Sequence, residues 1–132
     1  MKLSEHSQNR LLQSFDLWEV PQEYSRPMYD YLVNGWAPGS FYTAVLANDF
    51  MSAVTRSHPS GRIAELKGLA GWISNTMPAH AWGSHDRIRT WLNMSDEDRR
   101  TVLEQAQLIY NTKTEMWLVL KNEHTSNPYE WA

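Results

Sequence analysis

Apolar positions along this chain fall at helical spacings, and no stretch alternates as a strand would. Tyr24, Met28, Tyr31 and Leu32 lie three or four residues apart, on one helical face. Pro21 suits the first helical position, Glu23 suits the first turn, and Asn34-Gly35 is a stop signal. Pro27 lies inside this pattern and moves the expected start towards Ser25. After the Pro38-Gly39 turn, Ser40 is the expected N-cap of a helix over 41–57. Its apolar residues (Phe41, Ala44, Val45, Leu46, Phe50, Met51, Ala53 and Val54) cover more than one stripe. That pattern predicts a central helix buried on most sides, ended by the Ser-His-Pro-Ser-Gly stretch.

A further helix is expected over 62–74, where Ile63, Leu66, Leu69, Ala70 and Ile73 share a face and Trp72 lies beside them. Gly68 and Gly71 are poor helix formers, so within it they point to close packing against a neighbour. Residues 75–83 read as a loop; Ser84 then caps a short helix with Asp86 in its first turn and Ile88, Trp91 and Leu92 facing inward. From Ser95 onward three rows repeat every seven residues: Val102, Ile109, Met116; Leu103, Tyr110, Trp117; and Ala106, Lys113, Leu120. They predict one helix of about twenty-five residues that packs back across the others, with pairing to a second copy as the alternative. Residues 1–14 are polar and expected to be loose, with Leu11 and Leu12 as docking points, and 15–20 read as a short extended lead-in or a single helical turn. The expected architecture is all-α: a compact bundle of five or six helices with a long C-terminal helix. It forms a single domain over 1–132, with a core at 15–94 and an extension and tail at 95–132.

At 132 residues the chain has the length of one domain with a true core. Seven tryptophans, six tyrosines and three phenylalanines exceed what such a core usually hides, which points to an aromatic interaction surface. Twelve basic against fifteen acidic residues give a net charge of −3, not the basic footprint of a protein that grips phosphate backbones. The absence of cysteine removes disulfides, thiolate nucleophiles and Cys-ligated zinc. The first ten residues lack the apolar core of a signal peptide, and no apolar run has the length of a membrane span. The expectation is a cytoplasmic protein with no membrane partner.

Candidate chemistry is sparse. His80 and His85 are five residues apart across a loop, not the i, i+4 pair of a helical zinc site, so no metal and no cofactor are expected. His85-Asp86, with His58 upstream and Asp96 and Asp98 downstream, superficially resembles the all-helical HD phosphohydrolases, but the spacing to the last aspartate is short and the dipeptide suits a capped first turn. There is no nucleophile elbow, Walker loop or dinucleotide fingerprint, and the chain is expected not to be an enzyme. Arg87 and Arg89 with Trp82 and Trp91, followed by Arg99 and Arg100, form the best basic-aromatic cluster for nucleic acid. The adjacent run Asp96-Glu97-Asp98 favours internal ion pairing instead. Asn48 and Asp49 interrupt the apolar 41–57 segment. A buried carboxylate there is costly unless paired, so Asp49 is expected to accept bonds from a neighbouring loop or Arg56, with Asn48 serving a backbone segment. The alternative is a polar notch, edged by Trp36 and Tyr42, that receives a partner.

Two segments taken together carry a resemblance. "LVNGWAPGSFYTAVLANDFMSAVTRSH" and "MPAHAWGSHDRIRTWL" are similar to a group of small bacteriophage and prophage proteins. In that group a Gly-x-Pro-Pro-Gly-Ser-Phe turn leads into an Ala-Val-Leu-x-Asn-Asp helix, and a Trp-Gly-Ser segment leads into a closing helix. The likeness covers residues 21–94; Ala37 stands where a first proline is common, and the residues after 94 exceed the group's usual length. It implies a helical fold and a phage or prophage origin, and no activity. The expected function is a phage-type accessory protein that binds a host or phage protein and modulates a host factor of defence or transcription. Its surface would draw on Trp36, Tyr42, Trp82, Trp117 and Trp131, with homodimerisation through the C-terminal helix as a further possibility. The alternatives are a nucleic-acid-associated protein and, less favoured, a metal-dependent phosphohydrolase.

Overall fold

The computed structural model describes residues 1–57, 63–111, 113–114, 116–118 and 120. Among them are seven α-helices, a single 3-10 turn at Ala79–Ala81 and no strand. The helices are α1 Glu5–Leu17, α2 Gln22–Asn34, α3 Ser40–Leu46, α4 Phe50–Arg56, α5 Ile63–Thr76, α6 His85–Asn93 and α7 Asp96–Gln105. The fold is all-α as expected, but it divides into more and shorter helices than the bundle of five or six that the pattern predicts.

The N-terminal residues are not loose. Ser4 caps α1 by accepting the Ser7 N–H at 3.2 Å. Leu3, Ser7, Leu11 and Phe15 recur every four residues, and all four are buried. Ser7 disguises the stripe in the sequence. Its burial is made tolerable by the Tyr110 N–H, which donates to Ser7 Oγ at 3.0 Å. Phe15 stacks on Trp72 of α5 at 4.4 Å between ring centroids, and Trp72 Nε1 donates to Ser14 Oγ at 3.0 Å. Gly68 and Gly71 do mark a close approach. A Cβ would come within 2.8 Å of the Trp18 carbonyl oxygen at Gly68 and within 2.9 Å of the Trp18 ring at Gly71.

Helix α2 begins at Gln22, ahead of Pro27, which it accommodates internally. A proline there cannot donate to the carbonyl of Glu23. The Tyr42 hydroxyl of α3 donates to that carbonyl at 3.4 Å. Met28, Tyr31 and Leu32 are fully buried, as their spacing predicts. Tyr31 Oη donates to the Ala81 carbonyl at 2.7 Å, and Trp91 Nε1 donates to the Tyr31 carbonyl at 3.0 Å. These bonds tie α2 to the 3-10 turn and to α6. Burial pushes the Tyr31 phenol far above its ordinary range. Ser84 and Ser95 cap α6 and α7 as expected, whereas Gly39, at φ +94°, takes the N-cap position of α3 in place of Ser40.

Two expected helices are interrupted, and for the same reason. Where 41–57 reads as one helix, α3 stops at Leu46 and α4 starts at Phe50. Where 95–120 reads as one long helix, α7 stops at Gln105. In each case a residue with positive φ follows the helix: Asn48 at +62° and Gln107 at +60°; Glu19, at +53°, does the same after α1. The hydrogen bonds are those of a Schellman closure. Val20 N–H donates to the Phe15 carbonyl, Asp49 N–H to that of Ala44, and Leu108 N–H to that of Leu103. The usual signal for such an ending is glycine, and none of the three positions has it. After α1 and α7 the residue beyond the closure and its acceptor, Val20 with Phe15 and Leu108 with Leu103, are all buried in the core. The left-handed conformation costs a non-glycine residue about 1–2 kcal/mol. Replacing the exposed Gln107 by Gly is therefore expected to raise stability by about 0.5–1 kcal/mol after the added freedom of the unfolded chain is deducted. Thermal unfolding would show this as a rise of roughly 2–5 °C.

The core draws on α1, α2, α3, α5, α6 and α7 and on Ala81 of the 3-10 turn, and Leu108 and Ile109 enter it just after the α7 closure.

Candidate functional site

The break between α3 and α4 is where the sequence places its least explained residues. Asn48 supplies the left-handed residue of the turn, a conformation asparagine tolerates better than most residues. Asp49 is the N-cap of α4, and its Oδ1 accepts the Ser52 N–H at 3.3 Å. The partner expected for Asp49 was a loop or Arg56; its bonded partner is instead the backbone of its own helix. The carboxylate is also partly exposed rather than set in a buried helix. The bonds from Ser52 hold the Asp49 carboxyl below its usual value of 3.8, with smaller contributions from the charges of His85 and Arg56. A depressed carboxyl pKa stabilises the fold above the unfolded value and loses that effect as pH falls through the folded one. The stability difference between wild type and Asp49→Ala is thus expected to be complete above pH 3.8 and to shrink below it. Paired unfolding titrations at neutral and acid pH check this.

Next to this corner is an open groove of about 320 Å³ between α3, α4 and α5. Val45, Ala53, Leu66 and Ala70 form its apolar surface, and Asn48, Asp49 and Lys67 supply its polar groups. Helix α4 also presents Met51 and Val54 to solvent, the first 70% exposed. A second depression of about 640 Å³ follows the other side of α5, lined by Trp18, Glu19, Glu65, Gly68 and Gly71 among others, and shares Lys67 and Ala70 with the first. The Gly83 N–H donates to the Leu46 carbonyl at 2.7 Å, which ties the last residue of α3 to the loop before α6.

Of the aromatic residues singled out in the sequence, Trp36 is 61% exposed in the α2–α3 loop and Trp117 is 52% exposed. Tyr42 and Trp82 are half-buried against the core, Tyr42 in a cluster with Tyr24 and Phe41. Trp131 lies outside the described residues, as do His58 and His124. Trp36 and Tyr42 are not among the residues that line the groove at Asn48 and Asp49. The structure therefore brings Asn48 and Asp49 together with Val45, Ala53, Leu66, Lys67 and Ala70, which the sequence patterns had assigned to packing or left unremarked. The one signal that could have found the groove is the Asn-Asp pair, read as a helix break with a cap rather than as buried polar groups.

The four arginines of the basic-aromatic cluster are all engaged internally. Arg87 Nη1 donates to the carbonyls of Ala79 and Trp82, both at 3.3 Å, and so braces the 3-10 turn. Arg89 pairs with Asp86. Arg99 is 4% exposed; it donates to the Met94 carbonyl, pairs with Asp96, and lies against Gly35, where a Cβ would come within 2.5 Å of it. Arg100 donates to the Lys2 carbonyl at 2.9 Å and lies 3.9 Å from Glu104. Among the described residues, no three histidines, aspartates or glutamates come together as a metal site requires. Among the same residues, no helix is long and apolar enough to cross a membrane.

Neither a family model, nor a curated protein, nor a solved structure matches this chain.

Proposed function

We propose that this chain is a non-catalytic accessory protein of phage or prophage type that works in the bacterial cytoplasm by binding another protein and modulating it. The observation that carries the reading is the open apolar groove at the Asn48–Asp49 corner; elsewhere on α4, Met51 and Val54 are also exposed to solvent. Exposed apolar surface of this kind is expensive to keep unless a partner covers it. Trp36 and Trp117 add two exposed indoles, the side chain most enriched at binding hot spots. The resemblance of residues 21–94 to small phage and prophage proteins supports the origin, and a host component of defence or transcription is the target class that fits it. The nucleic-acid reading is weaker, because Arg87, Arg89, Arg99 and Arg100 are engaged by carbonyls and carboxylates of the chain itself.

The test is an affinity pull-down from bacterial lysate with three baits: wild type, Ala70→Trp and Trp117→Ala. Ala70 is exposed at the edge of the groove, so tryptophan there fills the groove without entering the core. One protein retained by wild type and lost with Ala70→Trp supports the reading. A partner lost only with Trp117→Ala would move the surface to the C-terminal residues. No specific partner on any bait contradicts the reading.

A further inference from the structure

Asn34-Gly35 is the only Asn-Gly pair in the chain, and it lies at the end of α2. Asn-Gly is the dipeptide most open to spontaneous deamidation, because glycine has no side chain to shield its amide nitrogen. That nitrogen, once it loses its proton, attacks Cγ of the asparagine side chain and expels the amide group as ammonia. Water then opens the cyclic succinimide at either carbonyl, giving aspartate or isoaspartate, in which the main chain runs through the side-chain carboxyl. The structure holds this pair away from that chemistry. A helical side chain leans towards the N-terminus. Asn34 Nδ2 accordingly donates to Asp30 Oδ1, one turn back, at 3.3 Å, which draws the side chain away from the Gly35 nitrogen. Asn34 Oδ1 accepts from the Met1 amine at 2.8 Å. The Gly35 N–H donates to the Tyr31 carbonyl at 3.1 Å. Gly35, at φ +66°, is backed by the buried Arg99 guanidinium of α7 and has no room for a Cβ.

We infer that Asn34-Gly35 is a deamidation site that the contact between α2 and α7 keeps locked, and that its isoaspartate product cannot re-form that contact. Reaction then waits on the opening of this seam, so its rate follows the population of opened chains. The two products differ in consequence. Aspartate keeps an acceptor for the Met1 amine but sets a carboxylate beside Asp30, a repulsion that Arg26, 3.3 Å from Asp30, offsets in part. Isoaspartate adds a methylene to the backbone between residues 34 and 35. Gly35 then cannot keep both its bond to Tyr31 and its place against Arg99, which is itself fixed by the Met94 carbonyl and Asp96. Each long excursion from the closed seam thereby converts a fraction of the chains into a form that does not close again.

The test ages the full chain in warm, mildly alkaline buffer with and without guanidinium chloride. Peptide mapping by mass spectrometry follows conversion at position 34, and isoaspartyl methyltransferase labels the isoaspartate. Circular dichroism after dilution reads the helix recovered. The native chain should convert about a hundredfold more slowly than the denatured chain. Arg99→Ala should quicken conversion about tenfold or more in native buffer and leave it unchanged in denaturant. Arg99→Met, which keeps the bulk behind Gly35, should stay close to wild type. Wild type aged in denaturant should lose refolding in proportion to its isoaspartate content, whereas Asn34→Ala aged in the same way should refold in full. If Asn34→Ala does not fold when fresh, Asn34→Gln, whose longer side chain cyclises far more slowly, is the control. Equal rates with and without denaturant would overturn the lock, and a native rate untouched by Arg99→Ala would overturn the part of α7 in it. Isoaspartate-bearing chains that refold as stably as fresh ones would overturn the second half of the inference.

Discussion

Trp72→Ala should remove about 3–5 kcal/mol of stability, the cost of emptying a large aromatic site in a packed core. Trp72 is fully buried on α5, stacked on Phe15 of α1, and its indole N–H is bonded to Ser14 Oγ. The substitution opens a cavity, breaks the stack and removes the donor that Ser14 accepts, all at the seam between α1 and α5. Because a domain of this size holds only about 5–15 kcal/mol in total, the loss is a large share of it. Denaturant unfolding should show a much lower midpoint with a similar slope. Trp72→Phe should recover part of the loss, because it restores a ring against Phe15 but not the bond to Ser14. A loss below about 1 kcal/mol for the alanine variant would mean that α1 is not docked as described.

The second large effect concerns Arg99. Its guanidinium is buried under Gly35, donates to the Met94 carbonyl and pairs with Asp96, yet its Nε has no partner among the described residues. Burying a guanidinium costs desolvation that an incompletely satisfied set of bonds repays only in part. Arg99→Ala should destabilise the chain by about 2 kcal/mol, through the cavity it leaves and the lost bond to Met94. Asp96 is 60% exposed, so its carboxylate can turn to water and adds little to the loss. Arg99→Met keeps most of the volume and removes the buried charge, and should fall within about 1 kcal/mol of wild type. If methionine costs as much as alanine, the charge itself holds α7 against the α2–α3 loop.

Much of the helical fold can be read from the sequence, because spacing and capping are local properties. Met28, Tyr31 and Leu32 declare the buried face of α2, and Ser84 and Ser95 declare the starts of α6 and α7. The features that escape notice are non-local. Ser7 looks like a polar residue in a loose terminus until Tyr110, more than a hundred positions away, is seen to donate to it. Asn48 and Gln107 end helices without glycine or proline, and in both places the apolar spacing runs straight through the break. The seven-residue rows of 102–120 therefore describe real burial for Val102, Leu103 and Ile109, but they describe a chain that turns at Gln107, leaving Met116, Trp117 and Leu120 exposed. The candidate site was half legible. Asn48 and Asp49 stand out because they interrupt an apolar run. Lys67, Leu66 and Ala70 do not, since only the folding of α5 against the α3–α4 corner brings them alongside.

The most direct test of the central claim is site-specific photocrosslinking in living bacteria, with p-benzoylphenylalanine at the exposed Arg56, which shares the groove-lining face of α4 with Asp49 and Ala53, and, for comparison, at the exposed Gln13 on α1. Binding through the groove predicts one discrete crosslinked protein from position 56, none from position 13, and loss of the product when Ala70→Trp is added. Equal patterns from both positions, or no product from position 56, would contradict it.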